Sequence, residues 1–388
     1  MIDQAAPPLS TTATVETKVS RIIQHSISLI LQQQSPTGAY PASPDFSAYA
    51  GYCWFRDGAY IADAMSSAGQ VDSAERFFDW CSKSLTTRSD SIRRIIAETK
   101  AGRPPANEDM LATRFTLDGA DGDDEWWDFQ LDGYGTWLWA LAEHHGRHNR
   151  PLDAWTEAIQ LTVDYLLCSW KRPCYDWWEE FSEHVHVSTL GCIAAGLESI
   201  AETGHLSEAT SKEASLTSGQ IRRLIASRGT HKQHLTKWLG SETVDGSLSA
   251  LIAPMNFIDP HSALAKSTIE AVEKQLTVNN GVHRYLDDTY YGGGQWPLLS
   301  CFLGLAHAAT GNRTRAKEML QWAASTASDD ADFPEQVEDH LLSPDHLQLW
   351  IERWGTSANP LLWSHAMFLR LAIALGAPSP DVTAPHSL

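Results

Sequence analysis

Val15, Val19, Ile22, Ile23, Ile27, Ile30 and Leu31 fall three, four, seven and eight residues apart, which puts them on one face of a helix. The same spacing predicts helices over about 54–68, 71–99, 134–147, 151–169, 186–203, 206–228, 261–276, 296–310, 312–326 and 361–376. A shorter apolar segment covers about 246–253. Gly69, Gly204, Gly311 and Gly376 follow helical runs and Pro151 opens one, as helix stops and starts should. Strand signals are few and no strand–helix–strand alternation is present. About twelve helices in consecutive pairs, each with one face to bury, predict an all-α fold closed into a ring.

The links between helices alternate in length. Short ones lie near 69–70, 148–151, 204–206 and 311–312. Long ones, rich in Gly, Asp and Trp, cover about 35–53, 101–133, 170–185, 277–295 and 327–360. If helices alternate in direction around the ring, all the long links emerge at one end. Loops on a rigid scaffold are where sites are built.

Composition narrows the chemistry. The 388 residues carry a net charge of −19, which argues against nucleic acid and anionic membranes as partners. A neutral ligand such as a sugar is compatible with that charge. No apolar run reaches membrane-spanning length. The six cysteines form no CxxC pair, and Met1–Ser20 lacks an apolar core of signal-peptide length, so a cytoplasmic location is expected. No interior linker divides the chain, so 1–388 is read as one domain, with 377–388 as a loosely ordered Pro/Ser-rich tail. Sixteen tryptophans fit carbohydrate binding, because an indole stacks on sugar C–H faces, although a large core would also use some.

The densest chemistry is Asp176-Trp177-Trp178-Glu179-Glu180. A Glu held against indole loses solvation and can stay protonated near neutral pH, as a general acid for glycosidic cleavage must. The bland alternative is an acidic helix start with two core tryptophans. Glu335, in Phe333-Pro334-Glu335-Gln336, is a candidate second carboxylate in a helix-poor stretch. Arg56 and Asp57, in Tyr52-Cys53-Trp54-Phe55-Arg56-Asp57, offer donors beside an acceptor, suited to vicinal hydroxyls. Trp126, Gln130 and Asp132 end the second long link, where Asp132 would otherwise read as a helix cap. Arg284-Tyr285 precedes Asp288-Thr289-Tyr290-Tyr291 and a triple glycine, with Trp296 after it. That run lacks the lysine of a phosphate-binding loop. His184 and His186 have no matching ligand cluster, so no metal site is expected.

These blocks, in this order from about Tyr49 to Ala374, resemble glycoside hydrolase family 15, the glucoamylase and glucodextranase family. The resemblance implies an (α/α)6 barrel with its active site in the long loops at one end. It implies an inverting, exo-acting hydrolase that releases β-glucose and needs no cofactor. Residue by residue, Glu179 would be the general acid and Glu335 the general base that activates water. Inversion requires those carboxyls roughly 6.5–9.5 Å apart. Arg56, Asp57 and Arg284 would hold the terminal glucose, and Glu180 and Trp126 would border the leaving sugar. Tyr49 or Tyr52 would lie near the attacking water. Tyr52, Trp54, Gln130, Asp132, Trp178, Asp288, Tyr290 and Trp296 complete the expected sugar site. The compact form, with Glu179-Glu180-Phe181 and Tyr291-Gly292-Gly293-Gly294, is most similar to bacterial isomaltose glucohydrolases. The expected substrate is therefore a short α-1,6-linked oligosaccharide. An α-1,4 glucoamylase, a trehalase, a histidine-dependent sugar epimerase and a non-catalytic sugar sensor remain as rivals. No feature of the chain speaks to its oligomeric state.

Overall fold

The computed structural model describes residues 10–122 and 129–377. Thirteen α-helices among the described residues account for most of it. They are α1 (Ser10–Gln33), α2 (Phe55–Ser67), α3 (Val71–Thr87), α4 (Ser89–Lys100), α5 (Asp132–His148), α6 (Thr156–Ser169) and α7 (Val187–Glu202). Then follow α8 (Glu208–Arg228), α9 (Ala263–Leu276), α10 (Pro297–Ala309), α11 (Arg313–Thr326), α12 (Leu347–Trp354) and α13 (Leu362–Ala374).

Six elements pack in a closed circuit: α2 on α5, α5 on α7, α7 on the 3-10 helix Gly246–Leu251, that turn on α10, α10 on α13, and α13 back on α2. Outside them lie α1, α3, α6, α8, α9 and α11, each against an inner partner or a neighbour. The result is the double ring of an (α/α)6 barrel. Inner helices are apolar nearly all round because they are covered on all sides. On α10, Pro297 through His307 are all buried. Outer α8 instead exposes most of its length and buries Ala214, Thr217, Ser218, Ile221 and Ile225.

One contact shows how closely the inner ring is drawn. A methyl group at Gly196 would stand 2.2 Å from the Gly135 carbonyl oxygen, and one at Gly135 2.4 Å from that of Cys192. Only glycine lets α5 and α7 approach so far.

The structure departs from the expected helices in three places. The predicted helix over 71–99 is two, broken at Arg88 (φ −101°, ψ 15°). There Arg88 turns to Asp121 and lays its guanidinium 4.2 Å from the Phe115 ring. The fourth inner element, expected over 246–253, is a 3-10 helix: the Asp245 carboxylate accepts the Ser247 N–H and Pro254 stops the turn early. The link 327–360, read as helix-poor, contains α12. Three two-stranded ribbons are the strand structure among the described residues. One pairs Tyr52–Trp54 with Arg114–Thr116, Cys53 opposite Phe115, and ties the first two long links together at the site.

Tyr60, Trp177, Phe302 and Trp363 meet at the centre of the ring, with Tyr60 and Trp363 stacked at 5.6 Å. This aromatic plug closes the barrel and makes the floor on which the long links stand. No helix among the described residues is long and apolar enough to cross a membrane.

Candidate active site

The long links enclose a cavity of about 780 Å³, within the usual range for small-molecule sites. Its wall includes Tyr49, Trp54, Arg56, Asp57, Trp178, Glu179, Glu180, Arg284, Tyr290, Trp296 and Glu335. Sequence positions 49 to 335 thus converge on one pocket.

The Asp176–Glu180 stretch is a tight turn and not a helix start, since α7 begins only at Val187. Asp176 organises it, accepting the N–H groups of Trp178 (2.9 Å) and Glu180 (3.0 Å). Burial works against ionising Asp176, but the Lys237 ammonium 2.8 Å away outweighs it and holds the carboxyl below its ordinary value. Lys237 also binds Asp245 (2.6 Å), which accepts the Trp178 indole N–H at 3.0 Å. The turn places Glu179 in the left-handed region (φ 62°), a conformation that an L residue keeps only when its surroundings enforce it. The Trp54 indole N–H donates to Glu179 Oε1. Glu180 Oε2 accepts from the Tyr285 hydroxyl (2.5 Å), and Oε1 lies 3.5 Å from Arg284.

Glu335 sits at the opposite end of the sequence block and is only 2% exposed. Its backbone is fixed by an N–H bond to the Ala358 carbonyl (2.8 Å) and by the Val337–Gln295 bridge. The Tyr49 hydroxyl donates to Glu335 Oε1 at 2.8 Å and is itself 3.0 Å from the Tyr290 hydroxyl. Glu335 Oε2 is buried with no hydrogen-bond partner among the described residues. Burial pushes this carboxyl up to about 7, against the Tyr49 hydrogen bond and the charge of Arg284, which pull it down.

Two buried arginines frame the floor. Arg56 binds Gln130 (2.8 Å), Asp132 (3.0 Å) and Asp57 (3.2 Å) and lies 5.3 Å from the Trp363 ring. Burial raises Asp57 to about 6 despite that arginine. Arg284 forks onto Asp288 through Nε (2.7 Å) and Nη2 (2.5 Å), beneath the rings of Tyr290, Trp178 and Trp296. The loop after it needs its glycines: a methyl group at Gly293 (φ 69°) would strike the Asp288 carbonyl oxygen at 2.4 Å.

Four expected sugar contacts do not line the cavity. Gln130, Asp132 and Asp288 lie behind its wall, where they hold the two arginines. Asp132 does not cap α5; Leu131 occupies that position and the Asp132 carboxylate turns to Arg56. Tyr52 faces the guanidinium of Arg114 at 3.8 Å, so of the two tyrosines it is Tyr49 that reaches Glu335. Trp126 lies outside the described residues. The sequence reading missed Lys237 and Asp245, whose polar side chains carry no local signal of an inward aim. It also missed Trp350, Arg353 and Trp354 on α12, which line the cavity.

The cavity wall among the described residues contains no His or Cys. His184 stacks on Trp238 at 4.2 Å and His186 bonds the Phe181 carbonyl at 3.0 Å. One group elsewhere, His25, Asp332 and His365, gathers three metal-ligand atoms. Those atoms are already engaged: His25 with Asp332 (2.7 Å), and His365 with Ser26 (2.9 Å) and the Phe333 N–H (3.0 Å).

Residues 18–373 match the sequence model of "Glycosyl hydrolases family 15". The chain belongs to that family. It is 48% identical to an isomaltose glucohydrolase of Kribbella flavida over 360 residues, covering 92% of this chain and 94% of that one. A solved glycosidase, a glutamate-to-alanine variant in complex with glucose, matches at 47% identity and TM-score 0.92, covering 95% of this chain and all of the other. The glucoamylase of Saccharomycopsis fibuligera, at 14% identity, shares the fold (TM-score 0.74) over 93% of this chain and 95% of its own. This family 15 member is a glycoside hydrolase.

Proposed function

We propose that the protein is an inverting, exo-acting α-glucoside hydrolase that releases β-glucose from the non-reducing end of isomaltose and short isomalto-oligosaccharides. Glu179 protonates the leaving glycosidic oxygen. Glu335 takes a proton from water, which attacks C1 from the opposite face. Arg56, Asp57 and Arg284 hold the hydroxyls of the glucose being transferred, and the indoles of Trp178 and Trp296 pack on its faces. Two supports come from relatives: the name of the Kribbella flavida enzyme and the glucose bound to the solved glycosidase variant.

The observation that carries the reading is Glu335 itself. It is a buried carboxyl with Oε1 fixed by Tyr49 and Oε2 without a hydrogen-bond partner among the described residues, in the cavity that Glu179 also lines. A sugar sensor needs the hydroxyl-holding residues but no such pair. An epimerase would need histidines in the cavity, and His184 and His186 do not line it.

Proton NMR of anomeric signals in the first minutes with isomaltose, maltose and trehalose tests the proposal. Early β-glucose from isomaltose is the expected result. Early β-glucose from another sugar alone would overturn the linkage, and early α-glucose would overturn the roles of Glu179 and Glu335.

A further inference from the structure

The cavity has a buried and an exposed end. Arg56, Asp57, Arg284, Trp296, Glu335 and Trp363 are all less than 9% exposed and define the first. The exposed end is shaped by α12 and by Asp287, both part of the cavity wall. An exo-acting hydrolase puts the glucose being transferred at the closed end, so the leaving sugar must lie toward the mouth.

Helix α12 is rigidly referenced to the catalytic end. The Trp350 indole N–H donates to the Thr289 carbonyl at 3.0 Å, and its ring stands edge-on to Tyr290 (4.8 Å) and stacked on Tyr291 (6.0 Å). Tyr290 in turn touches Tyr49 and so Glu335. One turn further on, the Arg353 guanidinium lies 5.6 Å from the Trp350 ring and 5.1 Å from the Trp354 ring. Arg353 is exposed and makes no ion pair among the described residues. It lies within cation–π range of two indoles, which orients the guanidinium without using its N–H donors. A planar donor group beside an aromatic face is what a sugar ring needs: hydroxyls meet the N–H groups while a C–H face covers indole.

We propose that Arg353 and Trp354 form the subsite for the leaving sugar, a second hexose linked to the glucosyl unit at the buried end. The proposal rests on the glucosidase reading above. The bland alternative is that α12 only covers the Tyr290–Tyr291 loop, a task that Trp350 performs through its contacts.

The test compares a disaccharide with α-D-glucosyl fluoride, whose leaving group is too small to touch α12. Wild type is first assayed on isomaltose, maltose and trehalose, and Arg353→Ala and Trp354→Ala are then compared on the sugar it cleaves best. Each variant should lose about tenfold in kcat/KM on the disaccharide, mainly through KM, and stay within about twofold on the fluoride. Equal losses on both substrates, or unchanged disaccharide kinetics in both variants, would overturn the subsite. Wild-type action on maltose but not isomaltose would overturn the linkage proposed above and leave the subsite comparison intact. A wild type that cleaves the fluoride but none of the three disaccharides would overturn both.

Discussion

Glu335→Gln should abolish most turnover and yet make the protein more stable at neutral pH. The carboxyl has an ordinary value of 4.5 and burial moves it to about 7. Below about pH 4.5 it is protonated in both the folded and the unfolded chain and contributes nothing to the difference. Between 4.5 and about 7 the unfolded chain ionises while the folded one does not, so stability is lost as pH rises. Above about 7 both are ionised and the deficit levels off. At about 1.4 kcal/mol for each tenfold change in proton affinity, the full deficit is roughly 3 kcal/mol. Glutamine keeps the shape and an acceptor for the Tyr49 hydroxyl but never ionises, so it removes that deficit.

For a chain of 388 residues, an unfolding entropy of about 2.1 cal/mol/K per residue turns 1 kcal/mol into about 1 °C. The variant should therefore melt about 3–4 °C above wild type at pH 8, with the gap closing toward pH 4.5. Calorimetric scans of both proteins at pH 4.5, 6 and 8 measure it. A gap that is constant across pH, or a variant that melts lower at pH 8, would refute the claim that burial of this carboxylate is what raises its proton affinity.

The low-pH limb of kcat/KM should fall as pH drops through about 7, where Glu335 protonates, and not near the usual carboxylate range. Tyr49→Phe removes a hydrogen bond that favours the ionised form, so a pH–rate profile should show that limb moved upward by about one pH unit, with a lower maximum. Lys237→Met leaves Asp176 and Asp245 buried without their cation and should cost about 3–5 kcal/mol in urea titrations at pH 7. Gly196→Ala forces a methyl group onto the Gly135 carbonyl and should cost about 1–3 kcal/mol, seen as a lower melting temperature with unchanged KM. Arg284→Lys breaks the fork onto Asp288 and should lower kcat/KM by at least tenfold in steady-state assays on the preferred disaccharide.

The ring was legible because its cause is local: each helix carries its own apolar face, and Gly or Pro marks its ends. The cavity wall was legible where a motif packs unusual residues together, as at Asp176–Glu180 and Arg284–Tyr290. Depth was not legible. Gln130, Asp132 and Asp288 are as polar as the residues in front of them, and only the fold shows that they grip Arg56 and Arg284 from behind. Lys237 and Asp245 reach Asp176 and Trp178 from links that carry no motif. The helix α12 could have been found. Leu347, Trp350, Ile351 and Trp354 follow a helical spacing, but only about two turns of it lie between Pro344 and Gly355, hidden in a polar stretch.

The way these charges are paired bears on the proposed chemistry. Arg56 is committed to Asp57 and Asp132, and Arg284 to Asp288 and, more loosely, Glu180. Glu335 forms no ion pair among the described residues and is held by a neutral hydroxyl, while Glu179 takes a neutral indole N–H. Had a guanidinium been bonded directly to Glu335, it would have drawn the proton affinity down and left a weak base. A neutral donor fixes the carboxyl in place and lowers its basicity less than a directly bonded cation would, and burial outweighs it, raising the basicity toward the pH at which a base is most effective. On the proposed roles, the ionised Glu335 then stands near the sugar's anomeric carbon with no directly bonded cation among the described residues, where an oxocarbenium-like transition state develops positive charge. In the proposed mechanism, Asp132 and Asp288 behind the wall would serve the reaction by keeping the two arginines from pairing directly with Glu335.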